Sequence, residues 1–306
     1  MTPVLRRLIL TAADSSRVRR LVRRYGMRLG AARFVAGETL DQAVPVLRRL
    51  NERSLLANTT LLGEGVREGG QAAAVAADYE RILDRIAAEG LGANVALKLT
   101  HLGLEIDEEL ARQNLARVVR HAGALGNFVR IDMEQSAFVD ATLRIYRRLR
   151  EDGLENVGVV LQSYLYRSED DLRSLLPLRP NVRIVKGAYL EPPTIAYPKK
   201  LDVDAAYRRL LDLALAGGGY TAVATHDERL IAHGLELAES HSVAVDGFEL
   251  QMLFGVRPRL QANLAGRGYV VRIATPFGPD WYPYLMRRLA ERPANLLFFL
   301  RSLVQR

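Results

Sequence analysis

Eight short apolar runs, separated by amphipathic helical segments, set the strongest limit on how this chain can fold. Seven of them stop on or beside a polar or charged residue: Val95-Ala96-Leu97-Lys98, Val129-Arg130-Ile131-Asp132, Val159-Val160-Leu161-Gln162, Arg183-Ile184-Val185-Lys186-Gly187, Ala222-Val223-Ala224-Thr225-His226, Phe248-Glu249-Leu250-Gln251 and Val270-Val271-Arg272-Ile273. A run of the same kind, Leu56 to Leu62, precedes them. Apolar runs of this length that alternate with helices read as buried parallel strands. A doubly wound open sheet uses the same units, but a count of eight predicts a closed (β/α)₈ barrel of the TIM type. In such a barrel the C-terminal strand ends carry the chemistry, so the polar terminators speak to function as well as fold.

The helical segments punctuate the runs. Gln71 to Glu89 is ended by Gly90, Asp107 to His121 stops near Gly123, and Ser136 to Glu151 has Gly153 behind it. Ser168 to Leu176 is stopped by Pro177. A loop with Pro192, Pro193 and Pro198 leads to a helix from Asp204 to Ala216. Asp227 to Ser240, a short helix near Leu260, and Asp280 to Glu291 complete the alternation. Ahead of the first strand, Ser15 or Ser16 suits the cap of a helix through Val18, Leu21 and Val22. Thr39 suits the cap of another, with Gln42 as its capping-box partner. The expected division is residues 1–50 as a helical segment packed on the barrel and 51–306 as the barrel, closed by a last helix from Ala294 to Val304.

Composition narrows the chemistry. With 49% hydrophobic residues in 306, the chain can bury a large core. Cysteine is absent, which removes disulfides, a thiolate nucleophile and zinc–sulfur sites. The five histidines lack paired metal-ligand spacing, so no metal is expected, and His101, His121, His233 and His241 read as ordinary core or surface groups. No apolar stretch approaches the roughly 20 residues of a membrane span, and no signal-peptide pattern opens the chain. The expected location is cytoplasmic. The net charge of +8 is spread over many helices and not concentrated in a block. That pattern speaks for solvated helix faces more than for nucleic-acid binding, and no recognition motif accompanies it.

Lys98, Asp132, Gln162, Arg183, Lys186 and His226 are expected to converge on one rim. Burying such groups is costly unless they pair or meet a ligand. Three cations, one carboxylate, an amide and an imidazole suit an anionic ligand together with a polar cofactor. The Gly63-Glu64-Gly65 and Gly69-Gly70 glycines miss the dinucleotide-binding spacing and read as a turn, and no Walker loop occurs. Lys98 or Lys186 also leaves open a Schiff-base aldolase. In the last barrel helix, Tyr284, Arg287, Arg288 and Glu291 share one face at i, i+3, i+4 and i+7. Spacing alone allows either a solvated ion-pair face or a pair of guanidinium forks that grip a carboxylate.

Leu97-Lys98-Leu99-Thr100, Ile131-Asp132-Met133-Glu134, Val185-Lys186-Gly187-Ala188-Tyr189, Thr225-His226, Phe248 to Leu253 and Tyr284-x-x-Arg287-Arg288-Leu289-x-Glu291 resemble the proline dehydrogenase family, in order and from about Leu56 to the C-terminus. The resemblance is to its short, monofunctional bacterial type. It implies a distorted barrel, non-covalent FAD and oxidation of L-proline to 1-pyrroline-5-carboxylate. Electrons would pass to a quinone, with possible peripheral contact at the inner face of the membrane. It implies catalytic roles for Asp132 and Arg183. Lys98, Arg287, Arg288, Tyr284 and Leu253 would bind substrate, with Glu291 steadying an arginine. Met133, Gln162, Arg183, Lys186, Gly187, Ala188, Thr225 and His226 would line the flavin site. The family pattern breaks in Arg272-Ile273-Ala274-Thr275-Pro276, where alanine stands for the usual tyrosine. Relatives that prefer hydroxyproline lack that tyrosine too, which makes 4-hydroxyproline or another substituted proline an alternative substrate. A folate-linked flavin reductase is a further barrel reading, less suited to the double-arginine helix.

Overall fold

Eight parallel strands close into a barrel in chain order: β1 (Leu56–Leu61), β2 (Ala93–Lys98), β3 (Val129–Asp132), β4 (Val157–Gln162), β5 (Asn181–Val185), β6 (Tyr220–Ala224), β7 (Phe248–Leu253) and β8 (Val271–Phe277). The computed structural model describes residues 30–291, with side chains as far as Met286. The helix expected through Val18 and the final one from Ala294 lie outside the described residues. A helix α1 (Leu40–Asn51) precedes the barrel. The crossovers carry α2 (Gly69–Ala88), α3 (Glu108–Ala124), α4 (Val139–Glu151), α5 (Ser168–Leu175), α6 (Lys200–Ala216), α7 (Glu228–Ser240) and α8 (Pro258–Gly266), and α9 (Trp281–Glu291) follows β8.

Two faces of each strand do different work. Val95, Leu97, Val129, Ile131, Val159, Leu161, Val182, Ile184 and Val223 are buried with the apolar stripes of the helices. Burial of each such side chain contributes about 1.5–3 kcal/mol. The helices are amphipathic as their periodicity requires: α4 buries Leu143, Tyr146 and Leu149 and exposes Arg144 and Arg148. Many of those surface arginines meet carboxylates, as in Arg117–Glu80, Arg144–Glu108 and Arg209–Glu169. The basic charge is therefore interleaved with acids over the helix faces.

The alternate residues meet inside the barrel, and there the chain departs from the usual filling of branched aliphatics. Arg130 is 2% exposed. Its Nη1 donates to the Asn181 carbonyl at 2.8 Å and the Val159 carbonyl at 3.2 Å, and its Nη2 donates to the Asn181 side chain. Arg272 grips buried Glu249 at 2.9 and 3.1 Å through Nε and donates from Nη1 to the Ala57 carbonyl. Tyr220 and Gln251 also donate to Glu249. Burial, reinforced by the charge of Arg183, pulls the Arg130 guanidinium down to about 9. Arg130, Glu249 and Arg272 lie within runs expected to be apolar, and no role is expected of them from sequence. They are the inward half of a period-two pattern.

Local signals explain most boundaries. Thr39 Oγ1 accepts from the Gln42 backbone N–H at 3.4 Å, so the expected cap is present. Gln42 Oε1 accepts from Glu38 N–H at 2.7 Å instead of from the cap's own N–H, so the reciprocal bond falls one residue early. α6 starts at Lys200, four residues before the expected Asp204. The chain is already extended at Lys199, and Lys200 pairs with Asp204 across the first turn. The last strand also needs correcting. It runs to Phe277, past the expected end at Ile273, because β8 pairs with β1 from Leu56↔Arg272 to Leu61↔Phe277. Ala274 therefore sits within the strand, paired with Asn58 on one side and Leu253 on the other. Phe34 and Val35 pack with Val256, Trp281, Tyr282 and Leu285, so the segment before α1 closes on α9.

Gly158 makes room for the buried arginine. A Cβ there would lie 2.4 Å from Arg130 Nη1 and 2.5 Å from the Asn181 carbonyl oxygen. Gly158→Ala is expected to lower the unfolding free energy by about 1–3 kcal/mol or more, through overpacking and a displaced charge. Urea denaturation of the variant beside wild type checks this, and an unchanged midpoint would contradict it.

Candidate functional site

The C-terminal strand ends surround a cavity of about 890 Å³, at the upper end of the range that small-molecule and cofactor sites occupy. A second cavity of about 290 Å³ adjoins it toward β1 and α9. Six residues line both: Lys98, Asp132, Arg183, Leu253, Ala274 and Tyr284. They form the junction between the two spaces. Met133, Gln162, Lys186, Gly187, Ala188, Thr225 and His226 line only the larger one. Asn58, Thr60, Glu64 and Asp280 line only the smaller. The expected residues with described side chains thus converge, and they divide between the two spaces. Arg287, Arg288 and Glu291 fall in α9, but their side chains lie outside the described residues.

Arg183 is the third residue of β5, below the rim and not at it. Its guanidinium crosses the barrel. Nη1 donates to Asp132 Oδ1 on β3 at 2.7 Å, and Nη2 donates to Asn58 Oδ1 on β1 at 2.9 Å. The side chain is buried, and its Nε has no hydrogen-bond partner in the protein. A buried, unmatched cationic donor is costly and suits a ligand with an acceptor oxygen or nitrogen. Lys98, the last residue of β2, pairs with Glu64 from the turn after β1. Sequence reading passes over Glu64 because its flanking glycines mark only a turn.

Lys186 is held by Asp204 on α6 at 2.5 Å and by Asp227, which also caps α7, at 3.5 Å. Burial raises both carboxyls, but the Lys186 and Lys200 ammonium groups outweigh it and hold both below the usual range. His226 Nε2 accepts from the Leu253 backbone N–H at 2.9 Å. Accepting there places the ring proton on Nδ1 and ties the end of β6 to β7. Thr225 Oγ1 accepts from Asp227 N–H at 3.2 Å. Gln162 Nε2 donates to the Glu134 carbonyl at 2.8 Å, fixing the turn that carries Met133. The Glu134 carboxylate accepts from Thr100 N–H and Oγ at 3.1 and 2.7 Å, while burial pushes its pKa up. Gly187 has φ +108, and a Cβ would overlap the Tyr164 ring at 2.1 Å, so only glycine fits this turn.

The carboxylate partners bear on the aldolase reading. A Schiff-base lysine must be neutral to attack. Glu64 faces one candidate amine and Asp204 with Asp227 the other, so each amine is engaged in an ion pair and does not stand free as a nucleophile. No cluster of three or more His, Cys, Asp or Glu suited to a metal ion occurs among the described residues. None of the described helices is long and apolar enough to cross a membrane.

The family model for proline dehydrogenase matches residues 43–301. Proline dehydrogenase 1 of Bacillus subtilis is 41% identical over 99% of this chain and 100% of its own length. Proline dehydrogenase of Deinococcus radiodurans is 43% identical over 98% of each. Among solved structures, proline utilization A of Bdellovibrio bacteriovorus inactivated by N-propargylglycine superposes with a TM-score of 0.81 at 26% identity. That match covers 87% of this chain and 32% of the longer protein.

His101 lies three residues beyond Lys98, in the short turn after β2, and is 8% exposed. Burial, then the charge of Lys98, lowers its pKa to about 4, against a weaker opposing pull from Asp280. The unfolded chain therefore takes up a proton on this ring that the folded chain refuses. The associated stability is full above about pH 6.5 and is lost as pH falls toward 4. His101→Gln is expected to flatten that part of the pH–Tm curve. An identical curve for both proteins would contradict it.

Proposed function

Since the chain belongs to the proline dehydrogenase family, we propose that it oxidises L-proline to 1-pyrroline-5-carboxylate with non-covalent FAD and passes the electrons to a quinone. The observation that carries this reading is the division of the site. Every described residue expected to touch substrate or to act in catalysis lies at the junction of the two cavities, and every other residue expected to hold cofactor lines the larger one. A large polar space that meets a small one at charged groups suits a cofactor delivering its reactive edge to a small substrate. The unmatched Arg183 Nε and the cations Lys98 and Lys186 fit a flavin's acceptor atoms and negative charge.

When bound, the flavin supplies the acceptor for the hydride that leaves the ring carbon beside nitrogen. The chain's residues do the rest. Asp132 offers negative charge to the cationic imine that develops as hydride departs. Arg183 and Lys98 supply positive charge at the junction, which favours a reduced cofactor. Leu253 and Tyr284 present apolar surface to the ring, and Arg287 with Arg288 on α9 grips its carboxylate, so the substrate is oriented before reaction.

A second substrate is favoured by one observation. Ala274 lines both cavities, and its methyl leaves space where a ring substituent can fit. 4-Hydroxyproline or another substituted proline is therefore the alternative within the same reaction. Asn58 is its strand neighbour and brings an amide to the same small cavity.

An absorbance spectrum followed by anaerobic titration tests both readings. The purified protein is expected to show flavin bands that bleach with L-proline; a colourless active enzyme would remove the FAD assignment. Parallel titration with trans-4-hydroxy-L-proline decides the ring, and strong preference for L-proline would discard the alternative. Arg288→Ala is expected to keep its flavin and lose about a hundredfold or more in kcat/KM, the scale of a few kcal/mol of transition-state binding. Normal turnover in that variant would remove the carboxylate clamp.

A further inference from the structure

The Arg183 fork is held on two sides, and one of them is a pair of amides to which the proposed reaction assigns no part. Arg183 gives Nη1 to Asp132 and Nη2 to Asn58 Oδ1. Asn58 in turn donates from Nδ2 to Asn94 Oδ1. Asn58 and Asn94 are 1% and 9% exposed and are register partners on β1 and β2. They therefore stand at one level inside the barrel.

Left with a single carboxylate, a guanidinium favours two parallel bonds to both oxygens. In this barrel one oxygen of Asp132 accepts from Arg183, and the second arm is drawn away to β1. An asparagine amide can face either way. Turned over, Asn58 would set its NH₂ against the Nη2 donor and its oxygen against the Asn94 oxygen, two repulsive contacts. Arg183, which can only donate, fixes the orientation in which Asn58 accepts, and Asn94 then takes the hydrogen of the amide's other end.

We propose that Asn58, braced by Asn94, is a positioning residue for Arg183. It holds the guanidinium spread between β1 and β3, so that the cation and the Asp132 carboxylate face the junction as separate charges. Without it the fork closes on Asp132, and each neutralises the other. The proposal rests on the reading of Arg183 and Asp132 as junction groups in flavin-dependent proline oxidation.

The test compares Asn58→Leu, Asn94→Leu and Asn94→Asp with wild type, each purified with its cofactor. Three quantities are read: Tm, steady-state kinetics with L-proline and a dye acceptor, and the midpoint potential of bound flavin. Asn58→Leu and Asn94→Leu are expected to lower kcat about tenfold while KM moves by about twofold or less. The potential is expected to fall by about 30 mV, the two-electron equivalent of a tenfold change, because a neutralised guanidinium stabilises negative charge less. Asn94→Asp still accepts from Asn58 and is expected to recover most of the loss in kcat, though not in potential, since its carboxylate adds negative charge near Arg183. Wild-type kcat and potential in the leucine variants would overturn the proposal. So would equal losses of kcat in Asn94→Leu and Asn94→Asp, which would mark a merely structural role. Should Asn58→Leu fail to fold, the two Asn94 variants decide alone, since neither touches Arg183. A wild-type enzyme that oxidises proline without flavin would sink the cofactor assignment only, and the kcat comparison would still decide the role of Asn58.

Discussion

A single guanidinium spans the barrel from β5 to β1 and β3, and the candidate site is organised around it. Arg183 reaches Asp132 and Asn58 on strands that are not its neighbours, so these bonds run through the interior. A charge in that position is tolerable only when its donors are met. Two arms are matched by the protein, and Nε is not. The same residue thus ties three strands together and keeps one donor without a partner in the protein. Beneath it, Arg130 with Asn181 and Arg272 with Glu249 fill the barrel with further polar pairs. The interior is fixed by directional bonds more than by apolar packing, and such bonds hold a site in one geometry.

Much of this was legible in the sequence, because strand and helix periods follow from burial. The barrel, most helix positions and the convergence of Lys98, Asp132, Gln162, Lys186 and His226 all follow from where apolar runs end. Two things were harder to read. The inward row of Asn58, Asn94, Arg130, Glu249 and Arg272 looks like interruption when strands are judged as apolar runs, since half of each strand faces polar partners. The carboxylates that hold the lysines, Glu64, Asp204 and Asp227, lie in a turn and near helix starts, and only closure of the barrel brings them to the site. β8 extends past Ile273, where the apolar run ends, because its ladder with β1 continues to Phe277.

That last correction changes the meaning of Ala274. It is a position inside a strand, between Asn58 and Leu253, and it looks onto both cavities. Its small side chain enlarges the meeting place of the two spaces without altering the charged groups around it. On the proposed reading, Asp132 and Arg183, with Asn58 behind them, would serve the chemistry, and Ala274 with Leu253 the choice of ring.

The central claim is that cofactor and substrate occupy different cavities and meet at Lys98, Asp132 and Arg183. A crystal structure of the protein with FAD and a non-reacting cyclic amino-acid analogue tests it most directly. The account predicts flavin density in the larger cavity beside Gln162, Lys186 and His226. The analogue should sit in the smaller cavity, with its ring against Leu253, Ala274 and Tyr284. Density for either ligand away from that junction, or for both within the larger cavity, would contradict it.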